Sequence, residues 1–202
     1  YPVISLSFAN IKEKDFKTTS YRIRQMLMKL YEKNSFLRKS NVLSNAEKQY
    51  FERMASDMSE EDAPMALYQL SDFLYRYYGK KVIILLDEYD TPMQEAYVNG
   101  FWDELVAFIR SLFNSTFKTN PYLARAVMTG ITRVSKESIF SDLNNLNVVT
   151  TTSDEYATAF GFAEEEVFNA LDDYGYGDKK EIVKKWYDGF TFGSKTDIYN
   201  PW

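Results

Sequence analysis

Two carboxylates, Asp87 and Glu88, directly follow an apolar run at residues 82–86. Five apolar residues without alternation predict a strand buried on both faces, as is usual in a parallel sheet covered by helices. Ligands bind at the carboxyl ends of such strands. There an aspartate can hold Mg²⁺, which prefers carboxylate and phosphate oxygens, and the next glutamate can polarise an attacking water. The pattern therefore indicates a Mg²⁺ site, although a buried strand that ends in a solvated acidic turn also produces it.

Further polar groups follow in the chain. Thr129 ends the next predicted strand, residues 122–129, and Arg133 lies shortly after it. A hydroxyl and a guanidinium at a strand end suit the recognition of a γ-phosphate, because arginine offers a planar fork of donors. Arg133 can equally pair with a surface carboxylate. For Asp90 we favour capping of the turn at Thr91 over metal binding, and for the polar run 140–147 we favour helix capping over ligand contact.

The phosphate-binding loop that would complete a nucleotide site is absent from these residues. Such a loop requires the pattern G-x-x-x-x-G-K-[ST], and no window of the 202 residues fits it. The nearest segment is residues 189–196, whose two glycines are too close together and whose Ser194 intrudes before the lysine. We expect this segment to be a turn.

Composition excludes several kinds of enzyme. The chain has no cysteine and no histidine, which rules out disulfides, thiol nucleophiles and catalytic triads with histidine. The 24 Lys and Arg residues against 29 Asp and Glu give a net charge of -5, which argues against a nucleic-acid coat protein. No apolar run approaches the length of a membrane span. We expect a cytoplasmic protein and, because the chain starts at Tyr1 without an initiator methionine, a piece of a longer one.

Helical and strand patterns alternate along the chain, which predicts an α/β sheet rather than a helical bundle. The sequence pattern changes near Phe162, where an acid-rich helix is predicted to begin. We therefore predict an α/β core at residues 1–162 and a small helical segment at residues 163–202. The predicted strands are 1–8, 82–86, 122–129 and 147–152, and the predicted helices are 18–37, 45–58, 64–78, 100–117, 163–175 and 178–187.

Several ordered motifs together resemble the bacterial AAA-ATPase-like domain. The resemblance covers most of the chain from Val82 onward, and the residues before Val82 match only in pattern. The motifs are residues 85–92 (LLDEYDTP), 129–141 (TGITRVSKESIFS), 143–146 (LNNL), 160–162 (FGF), 186–190 (WYDGF) and 199–202 (YNPW).

The resemblance implies a fold of the P-loop NTPase type, a parallel sheet with flanking helices followed by a lid-like part. On it, Asp87 would be the Mg²⁺ ligand of the Walker B motif and Glu88 the base that activates water. Thr129 would take the sensor position, and Arg133 would correspond to a sensor arginine. The family's phosphate-loop strand would lie upstream of this chain, so we expect the longer protein to use Mg²⁺ and ATP as a conformational switch. By itself the chain should be inactive and should not bind Mg·ATP tightly.

Two other functions fit the sequence. The first is a non-catalytic interaction module on the same fold, supported by 16 Tyr, 15 Phe and 3 Trp and by the crowded Tyr75, Tyr77 and Tyr78. Core packing with tyrosines at the rim explains the same residues. The second is a metal-dependent nuclease built on Asp87, Glu88 and Asp90. Partners other than a nucleotide are an unknown protein or a second copy, with no signal for nucleic acid or membrane.

Overall fold

A computed structural model of the chain describes residues 1–131, 139–140, 143 and 146–200. It contains two compact units, residues 1–145 and residues 146–202. Residues 146–162 thus group with the C-terminal unit, whereas the sequence pattern favours a boundary near Phe162. The division into an α/β core at 1–162 and a lid at 163–202 stays a prediction.

The first unit alternates strands and helices, as the sequence pattern predicts. Its strands are β1 (Val3–Ser7), β2 (Val82–Asp87) and β3 (Leu123–Met128). Its helices are α1 (Phe16–Lys33), α2 (Asn45–Ser56), α3 (Ala63–Tyr78), α4 (Thr91–Asn99) and α5 (Trp102–Phe113), with a 3-10 turn at Ser35–Lys39 and a π turn at Asn114–Lys118.

The three strands form a parallel sheet in the order β1-β2-β3. Along β2 the burial alternates: Val82, Ile84 and Leu86 are buried, whereas Leu85 is 38% exposed. The expectation of a strand buried on both faces was therefore wrong. Among the described residues, the other face of the sheet remains open, and the middle of β3 is exposed throughout.

The core of the first unit lies among its helices and on one face of the sheet. Helices α1, α2, α3 and α5 pack against one another, and α3 also packs on β2. Tyr31 is buried and donates a hydrogen bond from its hydroxyl to the Ala66 carbonyl at 2.8 Å. This bond provides the partner that a buried phenol requires.

The segment after β2 differs from the prediction. A turn was expected at Thr91-Pro92, but residues 91–99 form a helix, α4. The helix expected over 100–117 is present as α5, which continues into the π turn at Asn114–Lys118. Pro92 lies in the first turn of α4, where its missing N–H costs nothing. Gly100 ends α4 in the left-handed conformation, at φ 82°, which permits the break before α5.

Glu47 closes the N-terminus of α2 and joins that helix to α3. Its carboxylate accepts a hydrogen bond from the Ser44 backbone N–H at 2.7 Å and one from Arg76 Nη2 at 2.7 Å. The Arg76 guanidinium, followed by the Ser44 amide, lowers the pKa of Glu47 below its ordinary value of 4.5. Ionised Glu47 is therefore more stable in the folded chain than in the unfolded one.

We expect Glu47→Gln to lower the free energy of unfolding at neutral pH by about 1 kcal/mol, since the side chain is 35% exposed and solvent screens its ion pair. Because the pKa is lowered in the folded state, this stabilisation is present above the ordinary pKa and disappears as the pH falls through the folded one. Urea unfolding of both proteins at neutral and at acidic pH measures the effect. An equal difference at both pH values would contradict it.

The second unit combines helices with a small antiparallel sheet. Its elements are β4 (Phe162–Ala163), α6 (Glu164–Asp173), a 3-10 turn (Gly177–Lys179), α7 (Lys180–Tyr187), β5 (Asp188–Phe192) and β6 (Lys195–Tyr199), and the strand order is β4-β6-β5. The prediction of a helical lid-like segment needs correction, since residues 188–199 form a hairpin.

The strand predicted at residues 147–152 is also wrong. Thr150 and Ser153 close a local turn instead: the Thr150 N–H donates to Ser153 Oγ at 3.0 Å, and the Ser153 N–H donates to the Thr150 carbonyl at 2.9 Å. Hydroxyl side chains that bond to nearby backbone groups compete with strand pairing in this way. None of the helices in the described parts of the chain is long and apolar enough to cross a membrane.

Candidate functional site

Parallel pairing brings three polar side chains to the same edge of the sheet. Ser7 ends β1, Asp87 ends β2, and Thr129 follows β3 directly. Ser7 and Asp87 are register partners, and the Thr129 N–H donates to the Leu86 carbonyl at 2.9 Å, so the pairing continues to the ends of the strands. This carboxyl edge is where parallel sheets place ligands.

Asp87 is held from both neighbouring strands. Thr129 Oγ1 donates to Asp87 Oδ1 at 2.5 Å, and Ser7 Oγ donates to Asp87 Oδ2 at 3.4 Å. The two hydroxyls fix the plane of the carboxylate, which is otherwise exposed to solvent. Each oxygen keeps lone pairs for a further partner.

Ser7 was missed by the sequence analysis. The rule that singled out Asp87 and Thr129, a polar residue at the end of a predicted strand, applies to it as well. Ser7 lies within the alternating hydroxyl and apolar residues of the first strand, so its pattern alone resembles that of any solvent-facing position. Only the register of β1 against β2 distinguishes it from Ser5.

Glu88 follows Asp87 in a left-handed conformation, at φ 50°. Its N–H donates to Thr129 Oγ1 at 3.3 Å, and its Oε2 accepts from Thr91 Oγ1 at 3.0 Å. A non-glycine residue with positive φ is uncommon and persists only where its surroundings hold it. The structure therefore keeps Glu88 beside Asp87 with its carboxylate fixed at one oxygen.

Asp90, the third carboxylate of the segment, lies differently. It is fully buried and occupies the position before α4, where it accepts from Gln94 Nε2 at 2.9 Å and makes no side-chain cap bond. Gly130 permits this arrangement, because a Cβ at that position would lie 2.6 Å from Asp90 Oδ1 and 2.8 Å from a ring carbon of Tyr89. Asp90 therefore stabilises the turn between β2 and α4 from the interior and does not face the carboxyl edge of the sheet.

The donor set suits Mg²⁺ in one specific way. Within the part of the chain that the structure describes, no three acidic groups converge to hold a metal by themselves. Mg²⁺ is nevertheless commonly bound by one or two carboxylates while water and substrate phosphates complete its shell. Asp87, exposed and oriented by two hydroxyls, fits that arrangement. The geometry does not favour the nuclease alternative, which needs Asp90 at the same site.

Other residues singled out by sequence lie elsewhere. Arg133 falls outside the described residues, and so do Ser141, Asp142, Asn144 and Asn145 of the polar run. The glycine-containing segment 189–196 comprises most of β5, a two-residue turn at Gly193 and Ser194, and the start of β6, so the expected turn is confined to its middle. A strand rather than a helix follows this turn, so the segment lacks the helix N-terminus that a phosphate loop uses.

The tyrosines at the end of α3 are half-exposed and contact one another. Tyr77 and Tyr78 have ring centroids 4.9 Å apart, and Phe36 lies 5.0 Å from Tyr77. Tyr122 lies between Tyr68 and Tyr75, at 5.6 and 5.5 Å. Such aromatic contacts stabilise the rim of a core.

Comparison with known proteins shows which family the chain resembles. The chain matches the family described as predicted AAA-ATPase over residues 1–140, so the match includes the residues before 82 and ends ahead of the C-terminal motifs. It is 27% identical over 124 residues to an uncharacterized protein from the vnfD 5′ region of Azotobacter chroococcum mcd 1, across 61% of this chain and 24% of that protein. The chain thus spans about a quarter of this curated relative. No solved structure matches it. Since the family match covers more than half of its length and contains Asp87, Glu88 and Thr129, the chain belongs to the AAA-ATPase-like family of predicted AAA-ATPases.

Proposed function

We propose that this chain supplies the metal-binding and water-activating side of a Mg·ATP site, and that hydrolysis at this site works as a conformational switch. The observation that carries the proposal is the Asp87–Thr129 hydrogen bond at the carboxyl edge of the sheet, with Glu88 directly beside it. Phosphoryl transfer to water requires a metal ligand, a base and a hydroxyl that contacts the phosphate. Asp87, Glu88 and Thr129 would supply these three groups.

The described residues contain no phosphate loop, so the proposal includes a further segment that provides one. The open face of the sheet supports the presence of such a further segment. Leu85 and Val127 are 38% and 53% exposed, although parallel sheets are usually covered on both faces. Among the strands that the structure describes, β3 lies at the edge of its sheet, and its outer side offers a place for an added strand beside Thr129.

Each residue has a defined task in the proposed reaction. Mg²⁺, when bound, neutralises charge on the phosphates and orients them. Asp87 would hold it directly or through water, and Thr129 would keep Asp87 oriented while lying close to the γ-phosphate. Glu88 would accept a proton from water as the water oxygen bonds to the γ-phosphorus. The bond from phosphorus to the bridging oxygen then breaks, and ADP leaves with the electron pair.

Mg·ATP binding by the full-length protein tests the proposal. We expect saturable binding in calorimetry that Asp87→Ala weakens by at least about tenfold, since the metal loses its anchoring carboxylate. Asp173→Ala removes an exposed aspartate from α6 and serves as the matched control, with binding unchanged. The 202-residue chain alone should show no micromolar affinity.

Absence of binding in a well-folded full-length protein would overturn the proposal. It would favour the alternative of an interaction module, for which the half-exposed tyrosines Tyr75, Tyr77 and Tyr78 are the specific observation. Alanine substitution at these tyrosines would then be expected to impair association with a protein partner. Tyrosine is enriched at such interfaces.

A further inference from the structure

Thr91 contacts the proposed base directly. Its Oγ1 donates a hydrogen bond to Glu88 Oε2 at 3.0 Å, and its backbone N–H donates to the Glu88 carbonyl at 3.2 Å. From the sequence alone, Thr91 is expected only to be part of a turn. The structure places it at the first position of α4, three residues after Glu88.

The Thr91 hydroxyl is a rigid donor. The residue is 8% exposed, and its neighbours Pro92 and Met93 are buried as well. Threonine is stiff at χ1 because it branches at Cβ, and proline restricts the first turn of the helix. The position of Oγ1 is therefore set by the packing of α4 and moves little with solvent.

The backbone of Glu88 is also held in place at its N–H, by Thr129 rather than by Thr91. The Thr129 hydroxyl accepts its N–H, while the same hydroxyl donates to Asp87. The left-handed backbone of Glu88 points its side chain back toward α4. The bond from Thr91 to Oε2 sets the orientation of the carboxylate, and its remaining lone pairs can accept a proton from water.

We propose that Thr91 is a positioning residue that holds the Glu88 carboxylate in the orientation for proton abstraction. This inference rests on the proposed function for its kinetic meaning. Thr91 acts through Glu88, the residue to which its hydroxyl donates. Its contribution is preorganisation: the base is confined to one rotamer before the substrate arrives, so little reorganisation is needed during the reaction.

The test compares Thr91→Val, which keeps the shape and removes the donor, with Thr91→Ser, which keeps the donor. In the full-length protein we expect Thr91→Val to lower kcat for ATP hydrolysis by about 10- to 100-fold, the value of a hydrogen bond to a charged group, with the Kd for Mg·ATP unchanged. Thr91→Ser should recover most of kcat. Thr19→Val is the matched control, because Thr19 is also buried in the first turn of a helix and its hydroxyl donates to the Asp15 carbonyl, away from the acidic pair.

A second readout needs no nucleotide. Side-chain scalar couplings of Glu88, measured by NMR in the 202-residue chain, should report one rotamer in the wild type and in Thr91→Ser, and averaging in Thr91→Val. Rotamer averaging already present in the wild type would overturn the inference. Wild-type kcat in Thr91→Val, or equal losses in Thr91→Val and Thr91→Ser, would also overturn it.

These outcomes are separable from failure of the proposed function. If the wild-type full-length protein does not hydrolyse ATP, the proposed function fails, and the couplings still decide whether Thr91 orients Glu88. If the wild type hydrolyses ATP and Glu88→Gln does not, while Thr91→Val matches the wild type in rate, the proposed function stands and the role of Thr91 is wrong.

Discussion

Replacement of Glu88 by glutamine should lower kcat for ATP hydrolysis in the full-length protein by about 10²- to 10⁴-fold, the usual contribution of a positioned general base. Glutamine keeps the size of the side chain and can still accept the Thr91 hydroxyl bond that glutamate accepts at 3.0 Å. It cannot take a proton from water. Because Asp87 is untouched, the affinity for Mg·ATP should stay close to that of the wild type.

Single-turnover kinetics and calorimetry on the same preparations separate the two effects. Glu104→Gln, on the exposed side of α5, is the matched control and should leave kcat unchanged. Retained turnover in Glu88→Gln would show that another group activates the water. Lost nucleotide affinity would instead show that Glu88 takes part in metal binding, so that the division of labour between Asp87 and Glu88 was wrong.

The second large effect concerns the stability of the first unit. Phe51 on α2 is fully buried, and its ring lies 4.9 Å from that of Tyr31 on α1 and 6.1 Å from that of Phe73 on α3. Phe51→Ala should lower the free energy of unfolding by about 3–5 kcal/mol, through lost burial and the cavity left among three helices. Natural domains of this size are stable by only about 5–15 kcal/mol, so the variant should be close to its unfolding threshold.

Urea unfolding followed by circular dichroism measures this loss. Tyr97→Ala is a suitable comparison, because Tyr97 is 77% exposed and its removal should change stability by about 0.5 kcal/mol or less. A loss below about 1 kcal/mol for Phe51→Ala would mean that the three helices repack around the missing ring, contrary to the tight packing expected of a protein core.

Much of the first unit was predictable from local pattern. The strands at 1–8, 82–86 and 122–129 and the helices at 18–37, 45–58 and 64–78 correspond to β1, β2, β3, α1, α2 and α3. These elements carry strong periodicity and clear end signals, such as Ser44 before α2 and Gly79 after α3. The strand predicted at 147–152 was wrong because Thr150 and the following Ser153 find hydrogen-bond partners within a local turn.

The α4 helix shows a different kind of failure. A proline after an acidic segment indicates a turn when only adjacent residues are considered, and it also suits the first turn of a helix. Which of the two forms depends on whether the following residues have an apolar surface to cover. Here Met93 and Ala96 are buried and α4 packs on α5, which decides in favour of the helix.

The sequence by itself determined which groups the candidate site offers: two adjacent carboxylates after an apolar strand and a threonine after the next one, in a chain without cysteine or histidine. Only the tertiary structure decided which groups orient them. Ser7 and Thr91 reach Asp87 and Glu88 through strand register and through the start of α4, and Asp90 turns into the interior instead. The physical reason is that a residue type and its spacing specify what a side chain can do, whereas partners that are distant in sequence meet only through backbone pairing and packing.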